Sequence, residues 1–258
     1  MTSSEVIPSE GSEAFRACYN LKDIEISSNI DYIGFEAFRD CHSITELSIP
    51  NTVDHIGDGA FYICEGLVRL YVDADIAPRM FGWCVSLEKV EMGESVSSIG
   101  SMGFYRCESL TSIAIPSGVL GISSEAFLDC ISVERISLGS VEKIGRSAFR
   151  GCESLTSIDL PSTLSSMGGY AFADCIGIKD IYAYGKTPSG DGTVFLNVEA
   201  TVHCQGADLE SWENSGFGLT VNGDLKGESS DILIIAAVSV AVLFILAVSV
   251  TAILRMKR

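Results

Sequence analysis

A repeat of about 23 residues, a period characteristic of stacked-coil folds, constrains this chain more than any other feature. Its cysteines fall at Cys18, Cys41, Cys64, Cys84, Cys107, Cys130, Cys152, Cys175 and Cys204. The first eight recur at nearly constant intervals, and only the third interval is markedly short. Three places before each of those eight stands a phenylalanine: Phe15, Phe38, Phe61, Phe81, Phe104, Phe127, Phe149 and Phe172. Three, six and eight places after each of those eight cysteines the residue is apolar in every case, as at Leu110, Ile113 and Ile115 after Cys107. With 47% of the chain hydrophobic, chance would produce this about once in 10⁸ trials.

The spacing dictates a shape. The last two apolar positions of each set have one residue between them, the alternation of a strand with one buried face. Pro50, Pro116 and Pro161 end such strands by removing a donor. A second apolar pair follows, as in Val53/Ile56, Val96/Ile99 and Val141/Ile144, and then Gly57, Gly100 or Gly145, which reads as a turn. An Ala-Phe-x-x-Cys segment closes the coil. One coil cannot bury its apolar edge alone, but stacked coils share a continuous core. The expected fold is a β-rich solenoid, a right-handed coil of short strands stacked in parallel. Its core would hold a ladder of Phe38, Cys41, Phe61, Cys64, Phe104, Cys107, Phe127, Cys130, Phe149, Cys152, Phe172 and Cys175.

Two irregularities stand out. The third interval is three residues short, around Ala77–Met80, with Met80-Phe81 in place of Ala-Phe, and predicts a local dent in the convex side. At the start, Ile7-Pro8 reads as the end of a strand whose beginning is absent, so an incomplete chain or a frayed first coil is expected there. The opening residues show no apolar stretch of signal-peptide type.

The run Cys-Glu-Ser-Leu-Thr-Ser-Ile-Ala-Ile-Pro-Ser-Gly-Val at 107–119 resembles the BspA-type leucine-rich repeat. The resemblance covers about residues 6–222, and the family occurs in bacterial surface proteins and in protists. Pro188, Phe195 and Thr201-Val202-His203-Cys204, followed by a polar stretch holding Trp212, look like the closing cap of such domains. The implied organisation is leucine-rich repeats over 1–184, about eight in number, and a degenerate last repeat with its cap over 185–222. The resemblance implies surface display and defines a scaffold, not a ligand.

The segment from Ile232 to Leu254 carries no charge and is bounded by Asp231 and by Arg255, Lys257 and Arg258. A helix there would be roughly 34 Å long, enough to cross a bilayer. The expected order is a juxtamembrane linker at 223–231, one transmembrane helix at 232–254 and a basic tail at 255–258. Residues 1–231 hold all 34 acidic residues but only 14 of the 17 basic ones, a formal charge of −20. That excludes nucleic acid as a natural partner, because phosphate binding needs clustered cations.

Chemistry is sparse. Zinc needs converging ligand pairs, and neither Cys-x-x-Cys nor His-x-x-x-His occurs; His203-Cys204 stands alone. The cysteine spacing makes a line, so packing as small hydrophobes is expected rather than disulfides, with out-of-register Cys204 the one candidate for reactivity. His42 and His55 sit at unrelated places in their coils, and no serine lies in a nucleophile elbow. Neither a catalytic residue nor a cofactor or metal site is expected, and the protein does not read as an enzyme.

Binding in solenoids belongs to equivalent positions of successive coils. The outward strand residues include Asp23/Glu25, Glu46/Ser48, Arg69/Tyr71, Lys89/Glu91, Ser112/Ala114, Arg135/Ser137, Ser157/Asp159 and Asp180/Tyr182. Among these Arg69, Tyr71 and Lys89, with Glu91 beside them, form a cationic and aromatic patch on an acidic body, of the residue types found at interface hot spots. The expected function is a membrane-anchored surface protein that binds protein or glycan ligands in adhesion. The solenoid would be extracellular and the tail cytoplasmic across the plasma membrane, as the positive-inside rule favours. The alternative is a tail-anchored scaffold with a cytosolic solenoid, which fits the reduced cysteines and the missing Asn-x-Ser/Thr sequons.

Overall fold

The structure is a computed structural model and describes residues 11–225. The chain divides into two compact units, Met1–Asp224 and Leu225–Arg258. The first contains the solenoid. The expected linker beyond Leu225, the membrane span 232–254 and the basic tail lie outside the described residues, as does Ile7-Pro8. Among the described residues no helix is long and apolar enough to cross a membrane.

The solenoid has a long-strand face built from Glu46–Ile49, Arg69–Val72, Lys89–Met92, Ser112–Ala114, Arg135–Ser137, Ser157–Leu160, Asp180–Ala183, Thr201–Cys204 and Thr220–Asn222. Their pairings are all parallel, in three hydrogen-bonded groups, with Leu47 opposite Leu70 and Leu70 opposite Val90. Strands such as Glu46–Ile49 alternate exposed and buried residues, so Leu47 and Ile49 point to the core. The stretch Asp23–Ile26, expected as a strand, is not one, although Ile26 is buried. A second face carries two-residue strands such as Lys143–Ile144, paired with Gly121–Ile122 and Ser166–Met167.

The third side is the Ala-Phe-x-x-Cys turn, and here the repeat is most strict. Each phenylalanine N–H donates to the residue before the phenylalanine of the next coil, as from Phe38 to Ala60 and Phe104 to Ala126, both 2.8 Å. The rings stack in one file from Phe15 to Phe195, with centroids 5.0–5.7 Å apart. Most neighbours lie within 10° of parallel; the exceptions flank Phe81, at 15° and 21°. Two residues per coil adopt left-handed backbone, one before and one after the phenylalanine, as at Glu125 (φ 60°) and Asp129 (φ 58°). Asp or Asn occupies the second position in four coils and Gly151 in another, but Ile63 (φ 61°) is β-branched, the costliest type there.

The recurring glycines have a reason other than the one expected. Gly57, Gly100 and Gly145 do not lie at positive φ; they let two coils touch. A Cβ on Gly145 would sit 2.6 Å from the Ser124 nitrogen, and one on Gly57 2.3 Å from the Phe35 nitrogen. Each glycine N–H thereby reaches the preceding coil: Gly57 to Ile33, Gly100 to Ile76 and Gly145 to Ile122, all 2.8 Å. Ser123 at the equivalent place makes the bond at 3.3 Å, and Ala77 does not make it.

Ala77 belongs to the short coil. The three absent residues fall between Val72 and Ile76, not at Ala77–Met80 as expected: the turn made by Pro50–Val53 in the coil before is reduced to Asp73-Ala74-Asp75. The second-face ladder breaks between Ile56 and Ile76 and resumes from Ile76 to Ile99. Asp75 reaches over the gap to accept from the Ser97 and Ser98 nitrogens at 2.7 and 2.9 Å. Asn51 and Ser95, two coils apart, meet across it at 3.5 Å. An open depression of about 350 Å³ remains, lined by His55, Ile76 and Pro78 among others.

The C-terminal end is closed by the short helix Leu209–Glu213 and the last strand. Trp212 is 1% exposed and donates through Nε1 to the Gly185 carbonyl at 3.0 Å, and Phe217 meets Phe195 edge-on at 5.6 Å.

Two stability outcomes are expected in thermal unfolding. Gly145→Ala loses about 1–3 kcal/mol, because the Cβ forces two coils apart, whereas Ser123→Ala changes little. Ile63→Asn gains about 1 kcal/mol by relieving left-handed strain, and Ile63→Val gains nothing.

Candidate binding face and the thiol ladder

The patch identified in the sequence lies on the long-strand face in register. Glu46, Arg69 and Lys89 form one outward row, and Ser48, Tyr71 and Glu91 the next. They line an open depression of about 450 Å³ that also takes in Asp23. The structure brings all four candidate residues together but changes their electrostatic character. Arg69 is ion-paired to Glu46, with Nε donating to Oε1 at 3.0 Å. The pair is well exposed, 65% and 62%, so it contributes little to stability and reorganises readily around a ligand. Tyr71 is 39% exposed. Partial burial and the nearby carboxylates of Asp73 and Glu91 hold its phenol above the usual range, so it stays a neutral hydrogen-bonding group. The patch is thus an aromatic ring amid charges of both signs, rather than a purely cationic spot.

Toward the C-terminus small outward residues, Ser112, Ala114, Ser137 and Ser157, are interspersed with exposed Arg135 and Asp159. The face ends in a second cluster that sequence reasoning missed. His203 stacks on Tyr182 (centroids 5.0 Å, 19°), and its two ring nitrogens face Asp180 at 2.8 Å and Asp224 at 3.0 Å. Beside it the Tyr184 hydroxyl donates to Asp159 at 3.2 Å. The signal was available: Thr201–Cys204 continues the strand lattice, which sets His203 opposite Tyr182.

The same register corrects the reading of Cys204. It lies opposite Ala183, turned into the core and fully buried, so it is not the reactive thiol. Successive strand residues face opposite sides, so His203 and Cys204 cannot converge on a metal. Among the described residues no group of three or more His, Cys, Asp or Glu could hold a metal ion.

The other thiols explain why cysteine recurs. From the second coil onward, the Sγ reaches the phenylalanine carbonyl of the preceding coil: Cys41 to Phe15 at 3.1 Å, Cys107 to Phe81 at 3.3 Å, Cys130 to Phe104 at 3.2 Å and Cys175 to Phe149 at 3.0 Å. That carbonyl already accepts the cysteine N–H of its own coil, as Phe104 does from Cys107, so S–H occupies its second lone pair. Cysteine is small enough for the core and still a donor. All nine are free, and only Cys18 is exposed. Burial pushes the Cys41 thiol up to about 11 and that of Cys84 to about 12.

This architecture, parallel coils on a phenylalanine file with an open strand face, is that of a leucine-rich-repeat solenoid. The BspA type leucine rich repeat region matches residues 8–77 and 74–199 in six copies, and the chain belongs to that family. No curated protein matches it. Among solved structures, a leucine-rich repeat protein from Bacteroides ovatus is 24% identical over 81% of this chain and 73% of its own, with a TM-score of 0.35. The T. pallidum leucine rich repeat protein is 24% identical over 69% and 86%, with a TM-score of 0.48. A leucine rich cell surface protein from Faecalibacterium prausnitzii is 18% identical over 87% and 86%, with a TM-score of 0.28.

In the native protein a water-soluble thiol reagent is expected to label Cys18 alone. In denaturant without reductant it labels all nine. Prompt native labelling of a second cysteine would contradict the ladder.

Proposed function

We propose that this leucine-rich-repeat protein is a binding protein of the cell surface, acting in adhesion to protein or glycan ligands. The observation that carries the reading is the run of outward side chains on the parallel strands from Glu46 to Asn222, in register within each of three hydrogen-bonded groups. Such a surface engages an extended partner through many equivalent positions, with Tyr71 and Arg69 supplying aromatic and guanidinium contacts of the hot-spot type. Glu91 and Lys89 beside them fix orientation by charge. The acidic body keeps nucleic acid and anionic lipid away from this face. Residues 232–254 serve as a single-pass anchor in the plasma membrane, with Arg255, Lys257 and Arg258 on the cytoplasmic side. No cofactor takes part, and no group on this face supports catalysis.

A second reading draws on Cys18. An exposed free thiol persists most readily in a reducing compartment, which favours a tail-anchored scaffold with its solenoid in the cytosol.

Protease treatment of intact cells separates the two. Surface display predicts loss of the solenoid, and with it loss of adherence to matrix-coated surfaces. Survival of the solenoid until the membrane is permeabilised would establish the cytosolic arrangement.

A further inference from the structure

The His203 cluster lies where the solenoid unit ends, and its geometry restricts its protonation state. Both ring nitrogens lie within hydrogen-bond distance of a carboxylate oxygen, Nε2 of Asp180 and Nδ1 of Asp224. A neutral imidazole has one N–H and one lone pair. In this arrangement the lone pair would face a carboxylate oxygen at 2.8 or 3.0 Å, which is repulsive. Only the imidazolium donates to both. Tyr182, stacked on the ring, favours the cation as well.

The placement gives this proton a structural task. Asp180 begins the strand Asp180–Ala183, His203 lies in the neighbouring strand Thr201–Cys204, and Asp224 follows the last strand Thr220–Asn222. The imidazolium therefore spans three successive strands. Asn222 adds to the hold, donating from Nδ2 to the other Asp224 oxygen at 3.0 Å. The last strand is three residues long, with burial exposed–intermediate–exposed; its other ties are the parallel ladder to Thr201–His203, Val221 against the core and the Cys204 thiol donating to the Asn222 carbonyl.

We propose that His203 is a proton-dependent clamp that closes the C-terminal end of the solenoid, holding the last strand and Asp224 when protonated and releasing them when neutral. The groups facing it are Asp180 and the Tyr182 ring from one strand, and Asn222 and Asp224 from the other side. On its own strand Cys204 is turned inward; next to Asp180 at the start of the neighbouring strand, the Lys179 ammonium is bonded back to the Ile176 carbonyl, 3.4 Å away. Asp208 and Glu213, beside and in the short helix, add negative charge at this end.

The sign follows from linkage. The hydrogen bond to Asp180 raises the His203 pKa, partial burial lowers it, and Asp224 raises it further; the net direction is upward from 6.5. Stabilisation by the clamp is therefore full below about 6.5, the unfolded value, and is lost as pH rises through the higher folded value. The clamp is shut at mildly acidic pH and opens toward alkaline pH.

The test uses the full-length chain in detergent micelles, with histidine ring resonances followed by NMR and amide exchange of residues 216–225 followed by mass spectrometry, corrected for the intrinsic pH dependence. His203 is expected to titrate above 6.5, and protection of 216–225 to fall several-fold across that titration while the core strands keep theirs. His203→Gln should leave 216–225 weakly protected at every pH. Asp224→Asn, at an exposed position that disturbs no core contact, should lower the His203 pKa and most of the pH effect with it. Titration of His203 at or below 6.5, or protection of the last strand that does not change with pH in the wild-type chain, would overturn the proposal.

Discussion

The coil-to-coil rise of the phenylalanine file is the constraint on which the rest depends. Rings repeat every 5.0–5.7 Å, close to the 4.7–4.9 Å that hydrogen-bonded strands require. A single stacking interval must therefore serve an aromatic contact, a turn hydrogen bond and a strand ladder at once. The Ala-Phe-x-x-Cys segment reconciles them by alternating its donors: Phe38 bonds forward to Ala60, and Cys41 bonds back to Phe38. The left-handed residues are the cost of that alternation, about 1–2 kcal/mol for each that is not glycine. Each buried ring offsets it, since truncating such a phenylalanine costs about 3–5 kcal/mol.

The short coil shows how the constraint tolerates a defect. Three residues are gone between Val72 and Ile76, yet Phe81 is still fully buried and still in file. The deficit is confined to the corner and second face, where Ala77 makes no backbone bond to the preceding coil and Asp75 takes up the polar groups of Ser97 and Ser98. Burial works against charging Asp75, but the Ser97 and Ser98 bonds outweigh it and hold the carboxyl below its usual range. The ring planes on either side of Phe81 are turned by 15° and 21°. The long-strand face passes this point unbroken, from Leu70 opposite Val90. A binding surface is thus insulated from irregularity elsewhere in the same coil, because each coil couples to its neighbours separately on three sides.

What the sequence reveals follows from which physics is periodic. Inward apolar positions recur with residue type, so the strand lattice, the parallel stacking and the phenylalanine file are legible from spacing alone. The reasons for cysteine and glycine are not, because both act between coils through backbone atoms. No spacing shows that the Cys130 thiol reaches the Phe104 carbonyl or that Gly145 lies against Ser123 and Ser124. The location of the missing residues was obscured by Met80-Phe81, which looks like the anomaly but merely replaces Ala-Phe in an intact turn. Cys204 was judged by its distance from other cysteines, when its strand register with Ala183 was the decisive relation.

The same distinction bears on the binding face. Register places Arg69, Tyr71, Lys89 and Glu91 together, and that much is readable in the sequence. Whether a guanidinium is available or already paired depends on the neighbouring coil's residue at the same row, and for Arg69 that residue is Glu46. Pairs along a row lie one strand spacing apart, within reach of long side chains. Charge on such a face is therefore set by row sequence across coils, one full repeat apart along the chain, rather than by composition within a strand. Applied to this chain, that rule makes the N-terminal half of the face a surface of mixed charge around Tyr71. It gathers the carboxylates and aromatics at the C-terminal end, where Asp159, Asp180, Tyr182, Tyr184 and His203 meet. The two ends of the face therefore differ in character, and the order of the coils alone sets that difference.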